Sequence, residues 1–464
     1  MRPASFRRVD LDGPQGWREA IPREVARPRE QGTLEGRMAA SGSQPISLAA
    51  GPIDRAAARR LGVDPSDAWL GSDPADPSYR DDPAPALHRL REIAPVHLSP
   101  LGAWRLSRYD DCVRLLRDVK SGVRYADGRP AIGSSPPGVT AGPGEFMLQQ
   151  DPPNHTRLRR LVSKAFTPRA VENLRERVRA NVRNLLDAAL ARGEMDVIAD
   201  LALPVPATVI CEMMGVPVED RPRFATWTGD ATHLLAAEFA PEEVVQRGLT
   251  AAGNLALYFQ QLIEARRKQL ADDILSQLIR AEEAGDRLSP TELLIQSIGL
   301  LIAGFETTIG LIGNGVYQLL RHPGELERLR REPGLVRTAV DECLRFDGPI
   351  GATLRILHED TEFGGVVIPR DSRMIALLEG ANRDPEKFPE PDRFDIGRSP
   401  NEHLAFGGGV HHCLGAHLAR MEAQEAIVAL ATRTRAIELL TETRSWGRSL
   451  FRVPAALPVR LSAA

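Results

Sequence analysis

A run of mostly apolar residues from Thr291 to Leu320, TELLIQSIGLLIAGFETTIGLIGNGVYQLL, dictates the architecture of this chain. Just before and into it, Ser289-Pro290-Thr291-Glu292 forms a capping box with proline at the first helical position, a strong helix start. About 30 residues of α-helix extend roughly 45 Å, enough to cross a bilayer or a whole domain. Glu306 in the middle of the run and Gln296 near its start make a lipid environment costly, so the run reads as a central helix buried in protein. Simple division of 464 residues suggests about three domains, yet nothing mid-chain reads as a linker. The expectation is one large, mainly α domain around that helix.

A second stretch carries chemistry. In LAFGGGVHHCLGAHLAR, Leu404 to Arg420, one cysteine, Cys413, lies between a glycine-rich loop and a helix that starts after Gly415. Leu418, Met421, Ala426, Ile427 and Leu430 recur at helical spacing, so Cys413 sits at that helix's N-terminal mouth, where free N–H groups favour a thiolate. Gly407, Gly408 and Gly409 leave room for a flat macrocycle, and Phe406 is expected beside the sulfur, limiting water. Two other readings compete: a buried apolar cysteine, and a zinc cluster of His411, His412, Cys413 and His417. Adjacent ligands rarely close a tetrahedron, and no second ligand pair stands at zinc-motif spacing.

The pattern Phe-Gly-x-Gly-x-His-x-Cys-Leu-Gly-Ala, residues 406 to 416, resembles the haem-binding loop of the cytochrome P450 superfamily in its soluble bacterial form. Further signatures of that family follow in order from about residue 80 to the C-terminus. The resemblance implies a mainly α fold with small β-sheets, haem b lying between the long central helix and the cysteine loop, and Cys413 as iron ligand. A thiolate ligand pushes electron density toward bound dioxygen, favouring O–O cleavage. Ala303-Gly304-Phe305-Glu306-Thr307-Thr308 matches the family's acid–alcohol signature. Ala303 and Gly304 offer little bulk on a cofactor-facing side, while Glu306 and Thr307 supply a proton-exchanging acid and a hydroxyl.

His155 and Arg159, four apart in DPPNHTRLRR, share a helix face and both reach toward one anion. The resemblance makes that anion a haem propionate and adds Arg355 and His411 as further donors. Glu342 and Arg345 of DECLRF, with Arg393 of PDRF, are expected to form a buried network behind the cysteine loop. Pocket-lining candidates are Phe146 and Met147, which follow a long Gly/Pro/Ser-rich loop from Gly122 to Gly144, then Ile302, Phe305, Ile350, Ala352 and Thr353, and a C-terminal turn at Leu450-Phe451.

A net charge of -3 gives no global attraction to nucleic acid or an anionic membrane, and neither partner is expected. Cys112, Cys211, Cys343 and Cys413 show no disulfide-framework spacing, which fits a reducing, cytoplasmic compartment; a monomer is expected. Residues 1 to 78 read as a low-complexity, disordered extension without the apolar segment of a secretory signal, and the packed domain as 79 to 464, beginning near Tyr79. Nothing resembles a flavin or nicotinamide module. The resemblance therefore implies electrons from a ferredoxin or flavodoxin and its NAD(P)H-dependent reductase, with Arg157, Arg160 and Lys164 on the docking face. The implied function is insertion of one atom of O2 into a lipophilic small molecule. A peroxide-driven enzyme of the same fold would dispense with Glu306 and Thr307, and a non-catalytic recruitment module would lack them or the thiolate.

Overall fold

The computed structural model describes residues 53–74, 76–117, 120–131, 146–283, 288–447 and 451–464. Its axis is the helix Pro290–Arg321, 32 residues long, and the expected capping box is formed. Glu292 N–H donates to Ser289 Oγ at 3.1 Å, and Ser289 N–H to Glu292 Oε2 at 2.8 Å. The helix is long and apolar enough to span a membrane, but 61% of its most apolar window is buried inside the protein. It packs against helices Pro204–Met213, Arg221–Thr232, Glu242–Lys268, Val336–Asp347 and Ala416–Arg433, which supply the large core the sequence demands. Pro204 opens one of these helices and Pro241 caps another, a position where proline's missing N–H costs nothing.

Small sheets flank the helices. The largest has five strands in the order Val96–Leu98, Ala103–Leu106, Arg373–Leu377, Ala352–Leu357 and Ser121–Gly122. Ala103–Leu106 runs parallel to Arg373–Leu377, and the other pairs are antiparallel. A three-stranded sheet joins Glu194–Asp196, Pro458–Ala463 and Thr434–Leu439.

The packed body begins earlier than Tyr79. Asp54 caps helix Arg55–Arg60 by accepting from the N–H groups of Ala56 and Ala57, both at 2.9 Å. Ala57, Ala58 and Leu70 are buried with Leu87, Leu90, Ile93 and Leu377. The signal was present but weak: a six-residue helix and a few isolated apolar side chains stand among prolines and acids. Residues 1–52 and most of the Gly122–Gly144 loop lie outside the described residues.

Behind the cysteine loop, Glu342 and Arg345 form a fully buried pair, with Arg345 Nε to Glu342 Oε2 at 2.7 Å and Nη2 to Oε1 at 2.8 Å. Arg345 also donates to the carbonyls of Asn382 and Pro391 at 2.9 and 2.8 Å. Arg393 corrects the expectation: its side chain is exposed and pairs with Glu390, and only its carbonyl reaches Arg345. The next residue, Phe394, is buried, which turns Arg393 outward. Arg398 is the second cation on Glu342, 3.3 Å away, and Asn401 Nδ2 donates to the same carboxylate at 3.2 Å. Replacing Arg345 by Met takes the two shortest hydrogen bonds from a buried carboxylate. It should lower stability by about 3–5 kcal/mol in urea unfolding followed by circular dichroism.

Candidate active site

The cysteine loop is closed by its own backbone. Cys413 N–H donates to Phe406 O at 2.9 Å and Gly407 N–H to Leu404 O at 2.8 Å. Gly409 has φ +66°, and a Cβ there would lie 2.0 Å from the carbonyl oxygen of Leu116, so only glycine lets the loop lie flush on helix Tyr109–Arg117. Arg420 stacks over the Phe406 ring at 4.5 Å. Asp341 holds Arg420 Nε at 2.7 Å and His403 Nε2 at 3.2 Å, and His403 Nδ1 accepts from Ala405 N–H. Phe406 is thereby fixed between the loop and helix Ala416–Arg433.

Cys413 is accessible to solvent at its surface but crowded by protein around it. Burial raises its thiol pKa. The Gly415 N–H at the helix start, Arg159 and Arg420 pull the other way without overcoming it. The helix mouth alone therefore does not keep the sulfur ionised. A metal ion bound to the sulfur would supply the remaining stabilisation of the thiolate.

The central helix presents one accessible face. Ala303 is exposed, and Ile302 and Thr307 are partly so. Phe305 is 1% exposed and Gly304 faces Ile210, whose Cδ1 would lie 3.2 Å from an added Cβ. Two steps of 100° carry Phe305 from Ala303 to the far side of the helix, so Phe305 is core rather than pocket lining, and only Ala303 leaves space on the open face. Thr307 Oγ1 donates to Ala303 O at 3.0 Å, which frees its oxygen to accept. Glu306 is 9% exposed, and its Oε1 would lie 3.2 Å from a Cβ at Gly229 on helix Arg221–Thr232. Phe146 lies against Gly299 on the central helix, and Met147 N–H donates to Gln296 Oε1 at 3.1 Å. Among the other pocket candidates Ala352 is exposed, and Ile350, Thr353 and Phe451 are partly exposed. Leu450 lies outside the described residues.

Sequence reading missed a second acid. Glu422, on helix Ala416–Arg433, is 1% exposed and accepts a hydrogen bond from Thr308. Burial pushes its carboxyl up to about 8, so it is largely protonated at neutral pH. The signal was legible: Glu422 falls four residues from both Leu418 and Ala426, inside the apolar stripe.

A third cluster sets two imidazoles beside arginines and is underpartnered. The rings of His155 and His411 lie 4.2 Å apart, and His155 Nδ1 and His411 Nε2 are buried without a hydrogen-bond partner. Burial first, then Arg355, His155 and Arg159, brings His411 down to about 3. Arg355 is 5% exposed and donates to Thr353 Oγ1 at 3.3 Å and Leu354 O at 2.8 Å; burial lowers its pKa to about 10. Arg159 differs from expectation. It donates to the carbonyls of Val410 and His412 at 3.1 and 2.6 Å, clamping the cysteine loop.

The family model for cytochrome P450 matches residues 134–433. The chain belongs to the cytochrome P450 family. Cytochrome P450 107B1 of Saccharopolyspora erythraea is 42% identical over 343 residues, covering 72% of this chain and 83% of the relative. The 6-deoxyerythronolide B hydroxylase of the same organism is 38% identical over 386 residues, covering 81% of this chain and 94% of the relative. The crystal structure of P450BioI in complex with hexadec-9Z-enoic acid ligated acyl carrier protein superposes with a TM-score of 0.77 at 35% identity, covering 83% of this chain and all of that one. The P450 is accordingly a haem-thiolate monooxygenase that incorporates oxygen from O2 with electrons from redox partners.

The residues present fit a haem. Two orphaned imidazole nitrogens and a buried guanidinium without a hydrogen-bonded carboxylate suit the two propionates, and Cys413 suits the iron. Arg355→Leu removes one charge-assisted donor, worth about 1.5–3 kcal/mol, and should speed haem transfer to a scavenging globin at least about tenfold.

Proposed function

We propose that this P450 uses haem b, ligated by Cys413 and held through its propionates by Arg355, His155 and His411, to hydroxylate or epoxidise a lipophilic small molecule. The observation that carries the reading is the pairing of an accessible cysteine sulfur at a helix start with two buried imidazoles, His155 and His411, that each keep a ring nitrogen without a hydrogen-bond partner beside the buried guanidinium of Arg355. When bound, the haem supplies dioxygen activation, so that one oxygen atom enters a C–H or C=C bond and the other leaves as water.

The chain's own groups do the rest. Phe406, held by Arg420 and His403, shields the sulfur from water, and Arg159 fixes the loop carbonyls around it. Ala303 leaves room beside the cofactor face, and Thr307, its proton turned to Ala303 O, accepts from an ordered water and orients it. Glu306 passes protons inward from the side of helix Arg221–Thr232. Ile302, Ile350, Ala352, Thr353, Phe146 and Phe451, all at least partly accessible, are the side chains we assign to an apolar pocket suited to a terpenoid, a fatty acid or a polyketide. A polyketide substrate gains support from the relative named as a 6-deoxyerythronolide B hydroxylase, and a fatty acyl one from P450BioI.

Electrons arrive from a ferredoxin or flavodoxin and its NAD(P)H-dependent reductase, and the protein acts as a cytoplasmic monomer. Arg160 and Lys164 remain on the docking face. Arg157 is turned into an ion pair with Glu292 and a hydrogen bond to Asn154 Oδ1.

Cys413→Ser should abolish the red-shifted Soret band of the reduced CO complex; survival of that band would reassign the ligand. Thr307→Ala should keep substrate binding while diverting electrons to peroxide. Product formed per NADPH should then fall about tenfold or more, since acid–base assistance contributes roughly 10²- to 10⁴-fold.

A further inference from the structure

Behind the pocket lies a charge cluster that the reaction does not use. Asp347 ends helix Val336–Asp347, and its buried carboxylate accepts from Arg444 Nη1 at 2.5 Å, Gln318 Nε2 at 2.7 Å and Arg452 Nη2 at 2.9 Å. Burial opposes its charge, and Arg444 and Arg452 outweigh that and bring it down to about 2. Arg444 also donates to Asn314 Oδ1 at 2.9 Å, while Asn314 Nδ2 donates to Asp347 O at 3.2 Å and Arg452 O at 2.9 Å. Arg452 N–H donates to Pro349 O at 2.9 Å. The guanidinium groups of Arg444 and Arg452 lie over the Trp446 ring at 4.5 and 4.8 Å, and its indole N–H donates to Asp81 Oδ1 at 2.6 Å. Glu379 lies 4.0 Å from Arg452 Nε and accepts from Tyr79 OH.

This cluster therefore grips Arg452 by its side chain, its N–H and its carbonyl. The segment it grips touches the central helix: a Cβ at Gly310 would lie 3.2 Å from both Arg452 O and Val453 Cγ2 and 2.7 Å from Pro349 Cβ. Gly310 is three residues past Thr307, on the same helix face. Phe451 is covalently next to the gripped residue and packs, partly exposed, against the main core.

We propose that Asp347 is a positioning residue for substrate selection: through Arg452 and Arg444 it fixes where Phe451 stands over the pocket, without touching substrate. The proposal rests on reading Phe451 as a pocket wall. It makes the shape of the far pocket depend on a buried ion cluster shared by the C-terminal segment, the central helix and helix Val336–Asp347.

The test uses haem-loaded protein and two azole probes that report by a Soret shift, small imidazole and bulky 4-phenylimidazole. Asp347→Asn and Arg452→Met should each raise the Kd for 4-phenylimidazole about tenfold and leave that for imidazole within about twofold. In the Phe451→Ala background, Asp347→Asn should add nothing, the coupling expected of residues acting through one contact. Equal changes for both probes, no change, or additivity would overturn the proposal. Arg452→Met leaves the Asp347–Arg444 pair in place, so it serves if Asp347→Asn does not fold; haem loss in both variants would show a purely structural role and also overturn it. A wild type that shifts with neither azole would instead refute the haem site itself.

Discussion

Desolvation sets the character of this site. The same burial that excludes water raises the thiol of Cys413, lowers His411 and Arg355, and keeps Glu422 largely protonated. Each of these groups stands in a place where its charged form lacks water and, in part, lacks a partner. Such an arrangement is costly in a protein with nothing to bind, and is suited to one that receives a carboxylate-bearing ring with a metal at its centre. The binding energy of the cofactor and the stability of the folded chain are then coupled quantities.

The scaffold answers that demand with well-satisfied polar groups one layer out. Glu342 accepts from Arg345, Arg398, Asn401 and the N–H of Asp395. Asp341 ties Arg420 to His403, and Asn382 Oδ1 accepts from Leu404 N–H at 2.6 Å. The imidazoles of His155 and His411 are left wanting partners, while the carboxylates of Glu342 and Asp341 behind the loop have them. Rigid support around unsatisfied groups is what preorganises a site.

How much of this was legible in the sequence follows from how local each signal is. The central helix could be read because its cap, length and apolar run are all contiguous, and the cysteine loop because glycines, histidine and cysteine fall within a dozen residues. Arg393 was misread because a spacing in sequence does not say which side of a turn a side chain takes, and burial of Phe394 decided it for Arg398. Phe305 was misread by treating neighbours on a helix as sharing a face. The Asp347 cluster was invisible, because Asn314, Asp347, Arg444 and Arg452 meet only in three dimensions.

The five-stranded sheet carries a consequence for how the molecule assembles. Ala103–Leu106 lies alongside Arg373–Leu377, so an early segment must find a late one before that sheet exists. The carbonyl of Leu116 must likewise meet Gly409 before the cysteine loop has a floor. Pairings of such high contact order form slowly, because the entropy of closing a long loop precedes any reward. During ribosomal synthesis the nascent chain cannot complete its catalytic chamber until nearly all of it has emerged, which leaves a long interval in which apolar helices wait uncovered for their neighbours.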